Sequence, residues 1–68
     1  MRHIFKTYML SDYLSQNNLS MQEFCNKCDI TIKDFENLMR NDKVCVRVLG
    51  RVAYTLNTHV MDMFSVEP

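Results

Sequence analysis

Apolar and polar residues along the chain alternate with the period of short amphipathic helices. Stepping about 100° per residue from Thr31, Phe35 and Leu38 fall on one side, Lys33, Glu36, Asn37 and Arg40 on the other, with Ile32 and Met39 at the boundaries. From Val46 to Leu56 the apolar face is expected to hold Val46, Leu49, Gly50, Val52, Ala53 and Leu56, with Arg47 and Arg51 one turn apart on the opposite face. Gly50 weakens a helix by about 1 kcal/mol relative to Ala, so its place on that inner face implies a close approach of another helix. An earlier helix, about Thr7 to Asn17, turns Leu10, Tyr13 and Leu14 inward.

The starts are marked by caps. Ser20-Met21-Gln22-Glu23 has the capping-box form, in which the Ser hydroxyl and the Glu carboxylate each accept from a free backbone N–H. Thr31-Ile32-Lys33-Asp34 repeats it with Asp for Glu, and Thr58 or His59 suits the opening of a last short helix. The two boxes start eleven residues apart (20 to 31), leaving room between the helices only for the tight turn at Cys28-Asp29-Ile30. The expected fold is therefore all-α: a compact five-helix bundle in one domain over residues 1–68, with a helix-turn-helix at about 20–40, a short arm over 1–6 and a tail over 65–68.

Composition bounds the function. A chain of 68 residues with 47% hydrophobic residues, one Gly and one Pro is that of a folded domain rather than a linker. No apolar run approaches the about 20 residues of a membrane-spanning helix, and no cleavage site follows the basic start. Three cysteines, an odd number, argue against a disulfide framework and fit a reducing cytoplasm. Cys25 and Cys28 take Ala-like inward positions with no second ligand pair, so they are read as core packing; Cys45 is the one expected at the surface. His3 and His59 lie apart from any carboxylate or cysteine cluster, and no nucleophile, base and orienter set is present. An enzyme, a metal site and a cofactor are thus not expected.

Eight Lys and Arg balance eight Asp and Glu, which argues against strong generic affinity for nucleic acid. Locally the balance shifts: from Arg40 to Arg51 there are Arg40, Lys43, Arg47 and Arg51 against Asp42 alone.

From Leu19 to Phe64 the sequence resembles the Cro/phage-repressor family of helix-turn-helix domains. The family's Leu-Thr-Gln-Glu-Glu-Leu-Ala and Gly-Ile-Ser correspond to Leu19-Ser20-Met21-Gln22-Glu23-Phe24-Cys25 and Asp29-Ile30-Thr31. Its Glu-Arg-Gly corresponds to Met39-Arg40-Asn41, its Ile-Ala-x-x-Leu-Gly to Val52-Ala53-Tyr54-Thr55-Leu56-Asn57, and its Leu-Asp-Glu-Leu-Phe to Val60-Met61-Asp62-Met63-Phe64. The resemblance implies a lambda-repressor-like bundle that binds double-stranded DNA as a transcriptional regulator, with the helix about Thr31–Arg40 in the major groove.

Carried over by position, the base-facing residues are Ile32, Lys33, Glu36 and Asn37, with Thr31 at the helix start. Arg40, Asn41, Lys43, Arg47 and Arg51 are the implied phosphate contacts. The family's phosphate-binding Gln aligns with Met21, and Gln22 beside it takes over that role. The family's Arg–Glu pair reads Leu14 and Met39 here, two apolar residues expected to touch. Met9, Met21, Met39, Met61 and Met63 are read as adaptable packing. The tail cluster Val60, Met61, Met63 and Phe64 either forms a homodimer interface or packs back on Leu10 and Tyr13. The carboxylates Asp34 and Glu36 on or beside the reading face motivate a second reading, a helix-turn-helix used for protein interaction or as an antirepressor without DNA binding.

Overall fold

A computed structural model of the chain describes residues 2–68. The order is β1 (Arg2–Phe5), α1 (Thr7–Gln16), α2 (Met21–Cys28), α3 (Ile32–Met39), α4 (Val46–Leu56), a 3₁₀ turn (Val60–Met63) and β2 (Phe64–Glu67). Four α-helices and a two-stranded sheet replace the expected five-helix, all-α bundle. The fifth helix is a single 3₁₀ turn entered from His59, because the chain beyond Met63 extends to pair antiparallel with β1. The register is Arg2 with Glu67, His3 with Val66, Ile4 with Ser65 and Phe5 with Phe64. The stretches read as an arm and a tail are thus the two strands, closed by the Phe5 and Phe64 rings meeting edge to face at 5.7 Å.

Both capping boxes form. The Ser20 hydroxyl accepts from the Glu23 N–H at 3.1 Å, and the Ser20 N–H donates to the Glu23 carboxylate at 2.8 Å. Thr31 and Asp34 do the same at 3.0 and 3.1 Å. The other ends share a different device: Asn18, Asp29, Asn41 and Asn57, one after each helix, have φ between 52° and 61°. Asn and Asp tolerate this left-handed geometry best among residues with a Cβ, and it lets the following N–H groups reach back to the last carbonyls, as Leu19 does to Leu14 and Asp42 to Asn37.

The core takes fully enclosed side chains from every helical element: Leu10, Phe24 with Cys25, Leu38, Val52 and Met63. Tyr13, Phe24 and Phe35 run edge to face at 5.6 and 5.8 Å, joining α1, α2 and α3. Phe24 and Phe35 hold the same place, four residues past their cap, so the caps set the depth of both rings. Leu14 packs half-buried against this core, whereas Met39, its expected partner, is exposed and lies outside it. Of the methionines read as packing, Met63 is buried and Met9 half-buried, while Met21, Met39 and Met61 are exposed.

On α4 the inward face is Val48, Val52 and Ala53, flanked by Leu49 and Leu56. Val46, expected inside, is 83% exposed, and Gly50 is exposed as well. Apart from its chain neighbours and the nearby backbone of its own helix, no atom of the described residues lies within 4 Å of where a Gly50 Cβ would sit, so no other helix approaches it closely. Among the described residues no helix is long and apolar enough to cross a membrane.

Candidate nucleic-acid interface

The helix-turn-helix is α2, the Asp29 turn and α3. Asp29 ends α2 at φ 61°, ψ 49°, the conformation that the Gly of the resembling pattern adopts without cost. Arg51 of α4 secures this turn from outside: its Nη1 donates to the Asp29 carbonyl at 2.8 Å, and its Nη2 lies 3.5 Å from the Asp29 carboxylate. A cation expected to hold phosphate therefore caps the C-terminal end of α2, where the helix dipole favours positive charge.

Along α3 the expected contacts divide by environment. Lys33 and Glu36 are exposed, and neither makes a side-chain hydrogen bond or ion pair with another described residue. Ile32 is half-buried and packs on the core. Thr31 is engaged as the cap of α3. Asp34, whose charge counted against DNA binding, turns its carboxylate to the Thr31 N–H at 3.1 Å. There it sits at the positive end of the helix.

The end of α3 is a small network. The Asn37 Oδ1 accepts from Arg40 Nη2 at 3.0 Å, while Arg40 Nε lies 3.2 Å from the Asp42 carboxylate. Asn41 has a structural duty: at φ 59° it ends α3, and its Oδ1 accepts from the Phe5 N–H at 3.0 Å, anchoring β1. Gln22 donates to Asn26 Oδ1 at 3.0 Å along the exposed face of α2. Lys43 and Arg47 are exposed and, among the described residues, unpaired.

Arg47 and Arg51 line an open hollow of about 500 Å³ whose walls come from α1, α2 and α4, none from α3. Lys27, which sequence reasoning did not single out, completes it, with its Nζ 5.5 Å from the centre of the Tyr13 ring. Nothing in the sequence near Lys27 marks it, since its companions lie on other helices. A second hollow, of about 290 Å³, lies between Met21 of α2 and Phe35, Glu36, Met39 and Arg40 of α3.

The tail cluster, read either as a homodimer interface or as packing back on the core, is largely internal. Met63 has no exposure, Val60 and Phe64 pack on the core, and Met61 alone of the four is exposed. Cys25 and Cys28 are buried and Cys45 is exposed. Burial raises both buried thiols above the usual range, and the Cys25 thiol lies 3.7 Å from the Thr31 carbonyl, to which it donates. Glu23 moves the other way: the backbone N–H of Ser20 is the larger cause holding its carboxyl below the usual value, with the Ser20 hydroxyl second. Among the described residues no three His, Cys, Asp or Glu side chains cluster closely enough to hold a metal ion.

Comparison with protein-family models and with curated proteins finds no match.

Proposed function

We propose that the chain binds double-stranded DNA as a transcriptional regulator, with α3 in the major groove. One observation carries the reading: α3 is independently capped, buries only Phe35 and Leu38, and presents Lys33 and Glu36 to solvent with no intramolecular duty. Lys33 suits guanine acceptors or phosphate, and Glu36 accepts from a cytosine amino group. Asn37 reads an adenine edge if Arg40 releases it to a phosphate, an exchange that exposed pairs allow because each is worth little in water.

The cations assigned to DNA phosphates are Lys33, Arg40, Lys43 and Arg47. Four phosphates neutralised give a salt slope of about −3.6, a loss of about 150-fold in affinity between 50 and 200 mM salt. Anisotropy titrations of a labelled duplex over that range test this. Lys43→Ala should weaken binding uniformly across sequences and flatten the slope by about 0.9, whereas Lys33→Ala should also change sequence preference. A flat salt response would remove the reading. A regulator of this kind acts in the cytoplasm, as three free thiols suit, and as a dimer would meet its second copy through the exposed Met61 rather than the buried tail residues.

One feature favours the second reading, a protein-interaction module. Met21 stands where the resembling pattern has a phosphate-binding Gln, and with Met39 and Phe35 it opens an apolar hollow on the outer side of the helix-turn-helix. A tight, salt-insensitive complex with a protein, lost in Met21→Glu, would support that role in place of DNA binding.

A further inference from the structure

We propose that the hollow between α1, α2 and α4 binds a phosphate group, held by Lys27, Arg47 and Arg51. These cations come from two helices and meet in one concavity with Tyr13 and Tyr54 on its walls. Asp29 is the one carboxylate paired to any of them, on Arg51; among the described residues Lys27 and Arg47 have no anionic partner. The site is therefore short of negative charge. A phosphate, with up to two charges and several acceptor oxygens, suits it better than a carboxylate, and guanidinium groups match its geometry.

Two of the three cations are held before any ligand arrives. Arg51 is fixed by the Asp29 carbonyl at 2.8 Å, and Lys27 lies 5.5 Å from the centre of the Tyr13 ring. Gly50 keeps the wall open between Arg47 and Arg51, since nothing lies within 4 Å of its missing Cβ. A volume of about 500 Å³ exceeds what phosphate alone needs and falls within the range of small-ligand sites. The Tyr54 ring, 88% exposed on the rim, offers a face to whatever carries the phosphate.

The group belongs either to a nucleic-acid backbone or to a free phosphorylated molecule. Arg47 is shared with the DNA reading, while no α3 residue takes part, so the two fail separately.

The test is a titration of the isotopically labelled full chain with inorganic pyrophosphate at constant ionic strength, followed by amide NMR. Saturable shifts at Gly50, Arg47, Arg51 and Lys27, with Lys33 and Glu36 unmoved, are expected. Lys27→Ala and Arg47→Ala should each raise the half-saturating concentration about tenfold. Gly50→Glu, which sets a carboxylate among the cations in open space, should abolish saturation while the helical circular dichroism is kept. Shifts that grow linearly without saturating, or saturation that persists in Gly50→Glu, would overturn the proposal.

Adding duplex DNA then distinguishes the sources. Displacement of pyrophosphate assigns the site to the backbone, and retention assigns it to a free phosphorylated molecule; both keep the site. A duplex that binds a chain indifferent to pyrophosphate removes this site and leaves the α3 reading intact.

Discussion

Replacing Gly50 by Ala should stabilise the protein. Gly50 is the fifth residue of α4 (Val46–Leu56), its φ is not positive, and it is exposed. A helix-interior Gly costs about 0.8–1 kcal/mol relative to Ala, mostly through the entropy it loses on folding. Against that gain stands any clash of the new methyl with a packed neighbour, and none arises, because nothing beyond its chain neighbours and its own helix backbone lies within 4 Å. The net is a gain of about 0.8–1 kcal/mol. For a domain of this size it raises Tm by about 4–8 °C. Thermal and urea unfolding followed by circular dichroism measure it, and the urea midpoint should rise with an unchanged slope, because the area exposed on unfolding stays the same. A fall in stability would mean that Gly50 packs against something after all, either another helix or a second copy of the chain. It would refute the exposed placement of this face of α4.

Other outcomes follow from the same contacts. Ser20→Ala and Thr31→Ala each remove a hydroxyl that caps a helix, and each should cost about 1 kcal/mol in urea unfolding. The effects should fail to add fully, since Phe24 and Phe35, the rings set by the two caps, touch. Asn41→Ala leaves the Phe5 N–H without its acceptor and puts Ala at φ 59°; a loss of about 2 kcal/mol is expected, with Asn41→Gly recovering part of it. In a thiol-reagent assay on the native protein at neutral pH, Cys45 should react at once and Cys25 and Cys28 only on unfolding. Because the native Cys25 and Cys28 hold their protons more tightly than the unfolded chain does, stability should be level below the ordinary thiol value and fall as pH rises above about 8.5. An unfolding midpoint that rises over that range would contradict the burial of these thiols.

The capped helices α2 and α3 and the turn between them were legible because their signals are local. Ser20 with Glu23 and Thr31 with Asp34 are contained within four residues each, and Phe35 and Leu38 fix the phase of α3 beside them. The sheet was not, because each strand has four residues and gains its hydrogen bonds from a partner at the other end of the chain. Val60 to Phe64 is equally apolar as helix or as turn and strand, and only the pairing of Phe5 with Phe64 decides between them.

The misphasing of α4 has another origin. Val46, Val48, Leu49, Gly50, Val52, Ala53 and Leu56 are all small or apolar, so counting apolar residues does not single out a face. Arg47 and Arg51 do: three steps of about 100° put Gly50 about 60° from Arg47, on the outer side. At the site, residue type suggested which side chains could contact phosphate but not which were already engaged. Arg51 on Asp29, Asn41 on Phe5 and Ile32 against the core are set by contacts across the fold.

The central claim, that α3 reads DNA, is met most directly by selection from random duplex DNA with the purified protein at low salt. Enrichment of a common half-site, lost when Lys33→Ala protein is used, is the expected result. A pool that emerges from successive rounds without any enriched sequence would contradict it.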